Sequence, residues 1–117
     1  MEYNTNLLTE TLEALATYNK GPLDVIWVGN HDGTLACTWE KFAELIKDLC
    51  YNAGYGSLEI PIELVVVGSG WWLERSEYDG AEDWVFKTIP VKRNPEDFYL
   101  SKHKFGSWQL REFIEGI

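Results

Sequence analysis

Cysteine, histidine and positive charge are all scarce in this chain. Two cysteines in 117 residues, Cys37 and Cys50, make neither a disulfide framework nor a metal cluster. Both sit beside apolar residues and are expected to be buried free thiols in a reducing cytoplasm. The two histidines, His31 and His103, are far apart in sequence, so metal-ligand spacing is missing and neither metal nor cofactor is expected. No Ser/His/Asp or Cys/His arrangement points to a nucleophile. The longest apolar runs are a handful of residues, such as Leu64 to Val67, too short to span a bilayer. The opening residues, MEYNTNLLTE, are acidic and lack a basic segment followed by an apolar stretch, which argues against a secretory signal. No internal repeat or low-complexity tract is visible.

What the chain does have is apolar residues and negative charge. A hydrophobic content of 45%, with 15% aromatic, excludes a disordered chain. A length of 117 residues fits one domain with one core. The net charge of −9 is unevenly spread. Residues 1–90 hold fifteen acids against five bases, whereas residues 91–117 hold four acids against five bases. Phosphate backbones would repel such a body, so direct nucleic-acid binding is disfavoured, and basic protein surfaces would attract it. The bland alternative is that the charge only keeps the protein soluble.

Periodicity predicts an α+β domain over residues 1–117, with about four mostly antiparallel strands packed against two to three helices. Leu8, Leu12, Leu15 and Ala16 mark a first helix, capped by Asn4 or Thr5 and stopped by Gly21-Pro22. The stretch LDVIWVG reads as a strand, and Asn30 to Gly33 as a turn. Thr38 caps a second helix with an apolar stripe of Trp39, Phe42, Leu45, Ile46 and Leu49. Residues 50–62 are irregular. ELVVVG is a strand buried on both faces, near the sheet centre. Residues 91–106 form a basic loop or carry one short edge strand around Phe98 to Leu100. Ser107 caps a last helix bearing Leu110, Phe113, Ile114 and Ile117.

Residues 68–84, GSGWWLERSEYDGAEDW, contain three of the six tryptophans and five carboxylates. Asp79-Gly80 is a strong hairpin signal because both residues tolerate positive φ. A two-residue turn there pairs Tyr78 with Ala81, Glu77 with Glu82, Arg75 with Trp84 and Leu73 with Phe86. Trp71, Leu73, Trp84 and Phe86 then share one face; Trp72, Glu74, Ser76, Tyr78, Asp83, Val85 and Lys87 share the other. Trp72 lies opposite Lys87, a cation–π arrangement. Glu77 opposite Glu82, with Asp79 and Asp83 nearby, is self-repelling in the free protein. Trp27, Trp39, Trp71 and Trp84 fit core faces, and Trp108 in the first turn of the last helix is either packed or exposed. Trp72 faces away from the hairpin's core side, where it is either covered by a helix or the basic tail or anchors a partner or a second copy. The candidate partner-binding residues are therefore Trp72, Glu74, Glu77, Tyr78, Asp79, Glu82 and Asp83.

Enzymatic readings have less support. VVVGSG lacks the third glycine and the following helix of a dinucleotide site. Glu74 and Glu77, the best acid–base pair, point to opposite faces of one strand.

The segment WWLERSEYDGAEDWVFKTIP, with DVIWVGNHDG and TWEKF upstream, resembles small phage and prophage proteins of Firmicutes. That class includes antagonists of host defence, among them anti-CRISPR proteins with nucleic-acid-like charge. The resemblance implies a non-enzymatic inhibitor in the cytoplasm of an infected or lysogenic bacterium, occupying a basic, nucleic-acid-binding surface of a host protein or complex. A homo-oligomeric phage accessory protein, with Trp72 and the last helix at a symmetric interface, is the alternative. A small carbohydrate- or nucleotide-processing enzyme is the third.

Overall fold

Local signals account for the first half of the fold. A computed structural model describes residues 5–54, 56–92 and 97–112. Strand β1 (Thr5–Asn6) leads directly into helix α1 (Leu7–Thr17), whose first turn is capped by Asn6: its Oδ1 accepts the Thr9 amide at 2.9 Å. Asn19, at φ 59°, closes the helix; the amides of Asn19 and Lys20 bond back to the carbonyls of Ala16 and Leu15. A single 3-10 turn (Pro22–Asp24) then feeds β2 (Val25–Asn30). After the Asn30–Gly33 turn come β3 (Ala36–Cys37) and α2 (Trp39–Ile46), where Thr38 Oγ1 accepts the Lys41 amide at 3.1 Å.

The remaining elements are strands: β4 (Cys50–Tyr51), β5 (Leu64–Gly68), β6 (Trp71–Tyr78), β7 (Ala81–Thr88), β8 (Phe98–Lys102) and β9 (Trp108–Glu112). Five strands form an antiparallel sheet in the order β3-β2-β5-β6-β7, with β5 central as its apolar run predicts. The pairs β1–β4 and β8–β9 are separate two-stranded sheets. The fold is thus α+β and antiparallel, with nine strands and two helices among the described residues rather than about four strands.

Both helices cover one face of the five-stranded sheet. Leu7 and Leu15 of α1, Trp39, Phe42 and Ile46 of α2, Val28 of β2, Val66 of β5, and Trp71 and Leu73 of β6 form the core. Each such side chain contributes about 1.5–3 kcal/mol through its burial. At the open end Phe86 stacks between Tyr18 and Trp71, at 4.1 and 5.7 Å.

Several expectations are corrected here. The buried line of α1 is Leu7, Thr11 and Leu15, and Leu12 faces outward. Thr11 can be buried because its hydroxyl donates to the Leu7 carbonyl at 2.7 Å and accepts the Trp84 indole N–H at 3.0 Å. Leu45 of α2 is 65% exposed, because the inward line of the helix is Trp39, Phe42 and Ile46 and Leu45 lies to its side. Cys37 is half-buried and Cys50 is exposed: in the short strand β4 alternation turns Tyr51 inward and Cys50 outward. The last segment is not helical up to Glu112. Gly106, at φ +114°, reverses the chain, its amide bonding to the His103 carbonyl, so Ser107 continues a hairpin instead of capping a helix. Trp108 and Leu110 then alternate as strand residues. Phe113, Ile114 and Ile117 lie outside the described residues.

Candidate binding face

Among the described residues no helix covers the face of the sheet opposite α1 and α2. Strand register places two rows across it: Trp27, Val67, Trp72 and Lys87 in one, Gly29, Val65, Glu74 and Val85 in the next. These rows build a cleft of about 330 Å³ lined by Trp27, His31, Val65, Val67, Trp72 and Glu74. The two indoles are its walls and the valines its floor.

Local features of β2 shape this cleft. A bulge between Val25 and Trp27 lets Val25 and Val28 both reach the core, while Ile26 turns out to solvent. Alternation next to the buried Val28 puts Trp27 on the open face. Gly29 is required by close approach: a Cβ there would lie 1.9 Å from the Leu35 carbonyl oxygen. The turn can therefore fold back against the sheet, bringing Gly33 against the Trp27 ring and His31 to the rim of the cleft. Asp32 holds that turn by accepting from the Thr34 amide (3.1 Å) and hydroxyl (2.8 Å), which keeps its carboxyl below the ordinary carboxylate range.

On the other wall, the Trp72 indole N–H donates to Glu74 Oε1 at 2.7 Å. That bond, not a cation–π contact with Lys87, fixes the outward indole among the described residues. Further along the hairpin, the turn Asp79-Gly80 (φ 51° and 87°) has the predicted register, and the Gly80 amide donates to Glu77 Oε2 at 2.7 Å. Glu77, Tyr78, Asp79 and Asp83 are all exposed.

Glu82 does not belong with them. It is 3% exposed, and its carboxylate accepts the amides of Glu59 (2.9 Å) and Ile60 (3.1 Å) while lying 3.6 Å from Arg75 Nη2. Its own amide bonds to the Ala53 carbonyl at 2.8 Å, so Ala53, Glu59 and Ile60 all meet it. Arg75, also buried, donates to Tyr51 Oη at 2.8 Å, lies 3.4 Å from Glu10 Oε1 and stacks on the Trp84 ring at 4.7 Å. Tyr51 O–H donates to Glu10 at 2.6 Å; burial, and then this carboxylate, raise its pKa well above the ordinary phenol range. This internal network ties α1, β4, β6 and β7 together beneath the hairpin and removes one acid–base pair from the surface charge. Four carboxylates, Glu74, Glu77, Asp79 and Asp83, remain on the hairpin against Lys87 alone.

Of the sequence-predicted residues, then, Trp72, Glu74, Tyr78 and Asp83 share the open face, Asp79 lies in the turn, Glu77 is exposed at the hairpin tip on the opposite side of the sheet, and Glu82 is interior. Trp27, His31, Val65 and Val67 are additions. Trp27 was expected on a core face and is on the open one, because the bulge before it breaks the alternation of β2; the contribution of His31 depends on the close approach at Gly29. Glu74 and Glu77 do lie on opposite faces of β6, as the strand period requires.

Among the described residues no three His, Cys, Asp or Glu side chains group to hold a metal ion, and no helix is long and apolar enough to cross a membrane. No protein-family model matches the chain, and neither a curated protein nor a solved structure shows significant similarity to it.

Proposed function

We propose that this is a non-enzymatic binding protein whose acidic hairpin and open aromatic sheet face engage a basic surface of a partner protein. The observation that carries this reading is the coincidence, on one hairpin, of an aromatic cleft with nearby carboxylates: Glu74 and Asp83 on the face of the cleft, and the exposed Glu77 and Asp79 at the hairpin tip. Negative charge steers and accelerates encounter with a basic partner, and the aromatic cleft supplies the desolvated contact that charge alone does not. We propose further that the chain is of phage origin, the class its hairpin segment resembles. The partner would be a nucleic-acid-binding protein of a bacterial defence system, whose groove presents the positive charge this face requires.

The test is capture from host lysate at low and high salt, comparing the wild-type chain with the triple variant Glu77→Lys, Asp79→Lys, Asp83→Lys. These side chains are exposed, so the variant should retain its fold by circular dichroism while losing a salt-sensitive partner. Undiminished capture by the triple variant would remove the acidic ribbon from the interface.

A second reading, self-association, is favoured by the hairpin β8–β9. Phe98, Leu100, Trp108 and Leu110 share one of its faces, each between 58% and 70% exposed. Light scattering separates the two: a salt-insensitive dimer supports self-association, a monomer supports the first reading.

A further inference from the structure

Glu74 is a half-buried carboxylate in an apolar row. Its register neighbours are Val65 and Val85. One oxygen accepts the Trp72 indole N–H, and among the described residues no cationic side chain lies within ion-pair distance of it. Lys87, the nearest cation in register, pairs with Trp72 one row away. A carboxylate drawn partly out of water without a counter-ion is costly, and gains most from a ligand that brings one. The flanking walls act the same way, because indole faces carry negative potential and attract cations.

Dimensions narrow the choice further. Trp27 and Trp72 flank Val67, so their backbones are two inter-strand spacings apart, about 10 Å. That gap suits one flat group in contact with an indole on either side. The volume of about 330 Å³ is at the lower end for ligand pockets, enough for one long side chain but not an oligomer. A flat, weakly hydrated cation with fork-like donors is a guanidinium; an ammonium is compact and strongly hydrated.

We propose that the Trp27–Trp72 cleft receives a single arginine side chain of the partner, its guanidinium stacked against the indoles and hydrogen-bonded to Glu74. This rests on the reading of the protein as a binder of basic surfaces, and it names the element of the partner that is recognised. His31 completes the lining of the cleft.

The experiment is a titration of the full chain with N-acetyl-arginine amide, following the six tryptophan indole N–H signals by NMR. Trp27 and Trp72 should shift together and saturably, while Trp39, Trp71 and Trp84 on the helix side, and Trp108 on the distal hairpin, stay in place. Glu74→Gln is the decisive variant: the glutamine oxygen can still accept from Trp72, so the wall is kept and only the charge is lost. It should weaken binding about tenfold. The neutral citrulline analogue should produce no saturable shift. Equal binding of citrulline, or no saturable shift at Trp27 and Trp72, would overturn the proposal. Lysine amide binding as tightly as arginine amide would overturn the guanidinium assignment. A Glu74→Gln chain that loses arginine amide yet captures the same lysate partner sinks the cleft assignment alone. A wild-type chain that binds arginine amide but captures nothing leaves the cleft standing and sinks the broader reading.

Discussion

Glu77 and Glu82 face each other across the hairpin and point to the same side of the sheet, yet they have opposite fates. Ala53, Glu59 and Ile60 hold Glu82 down, whereas Glu77 is exposed and turns back to hold the Gly80 amide. Alternation along a strand reveals which side a residue faces. It does not reveal which distant loop will cover it, and here the covering segment is an irregular stretch more than twenty residues upstream. The two positions should respond differently to truncation. Glu82→Ala leaves Arg75 buried with one fewer counter-charge and two amides unsatisfied, and should cost about 3–5 kcal/mol in urea unfolding. Glu77→Ala, at an exposed site, should cost no more than about 1 kcal/mol. Similar losses at both positions would mean that the internal network contributes less than its burial implies.

At the level of elements, short-range chemistry was legible and long-range coverage was not. The hairpin register follows from Asp79-Gly80 and the period of two; the start of α2 follows from Thr38. The open face followed too, and with it Trp72, Glu74, Tyr78 and Asp83 of the candidate site. Other features resisted. The pairs β1–β4 and β2–β3 are only two residues long, too short to show a period. Helix α1 is rotated because a threonine takes a core position that a count of leucines assigns elsewhere. Trp27 was hidden because a bulge breaks the alternation of β2 beside it. The stretch after Ser107 carries two periods at once: Trp108 and Leu110 at spacing two, and Leu110, Phe113, Ile114 and Ile117 at helical spacing. The turn at Gly106 selects the first for the described residues. Since β8 and β9 pair with each other and with no other strand among the described residues, a chain ending at Lys92 should keep its fold. Its melting temperature should stay within about 4 °C of the full chain, equivalent to ~1 kcal/mol. A larger drop in calorimetry would show that the hairpin braces the body.

The whole molecule is long for its size. Its principal extents are 61 × 33 × 26 Å and its radius of gyration is 19.1 Å, against about 13 Å for a compact chain of this length. Charge is divided along the sequence as well: residues 1–90 carry a strong negative excess and residues 91–117 a slight positive one. Within the acidic part, the hairpin carries three exposed carboxylates, Glu77, Asp79 and Asp83, and the half-buried Glu74 against one exposed base of its own, Lys87, and the carboxylates repel one another in the free protein. Dissolved salt therefore acts on this ribbon in two opposed directions. Ions that screen the mutual repulsion should raise the unfolding free energy of the isolated protein, and the same ions should slow and weaken its association with a basic partner. Unfolding and binding measured over one series of salt concentrations would then trend in opposite senses. The protein is strained most under the conditions in which it binds hardest, and the partner's positive charge is what relieves the strain.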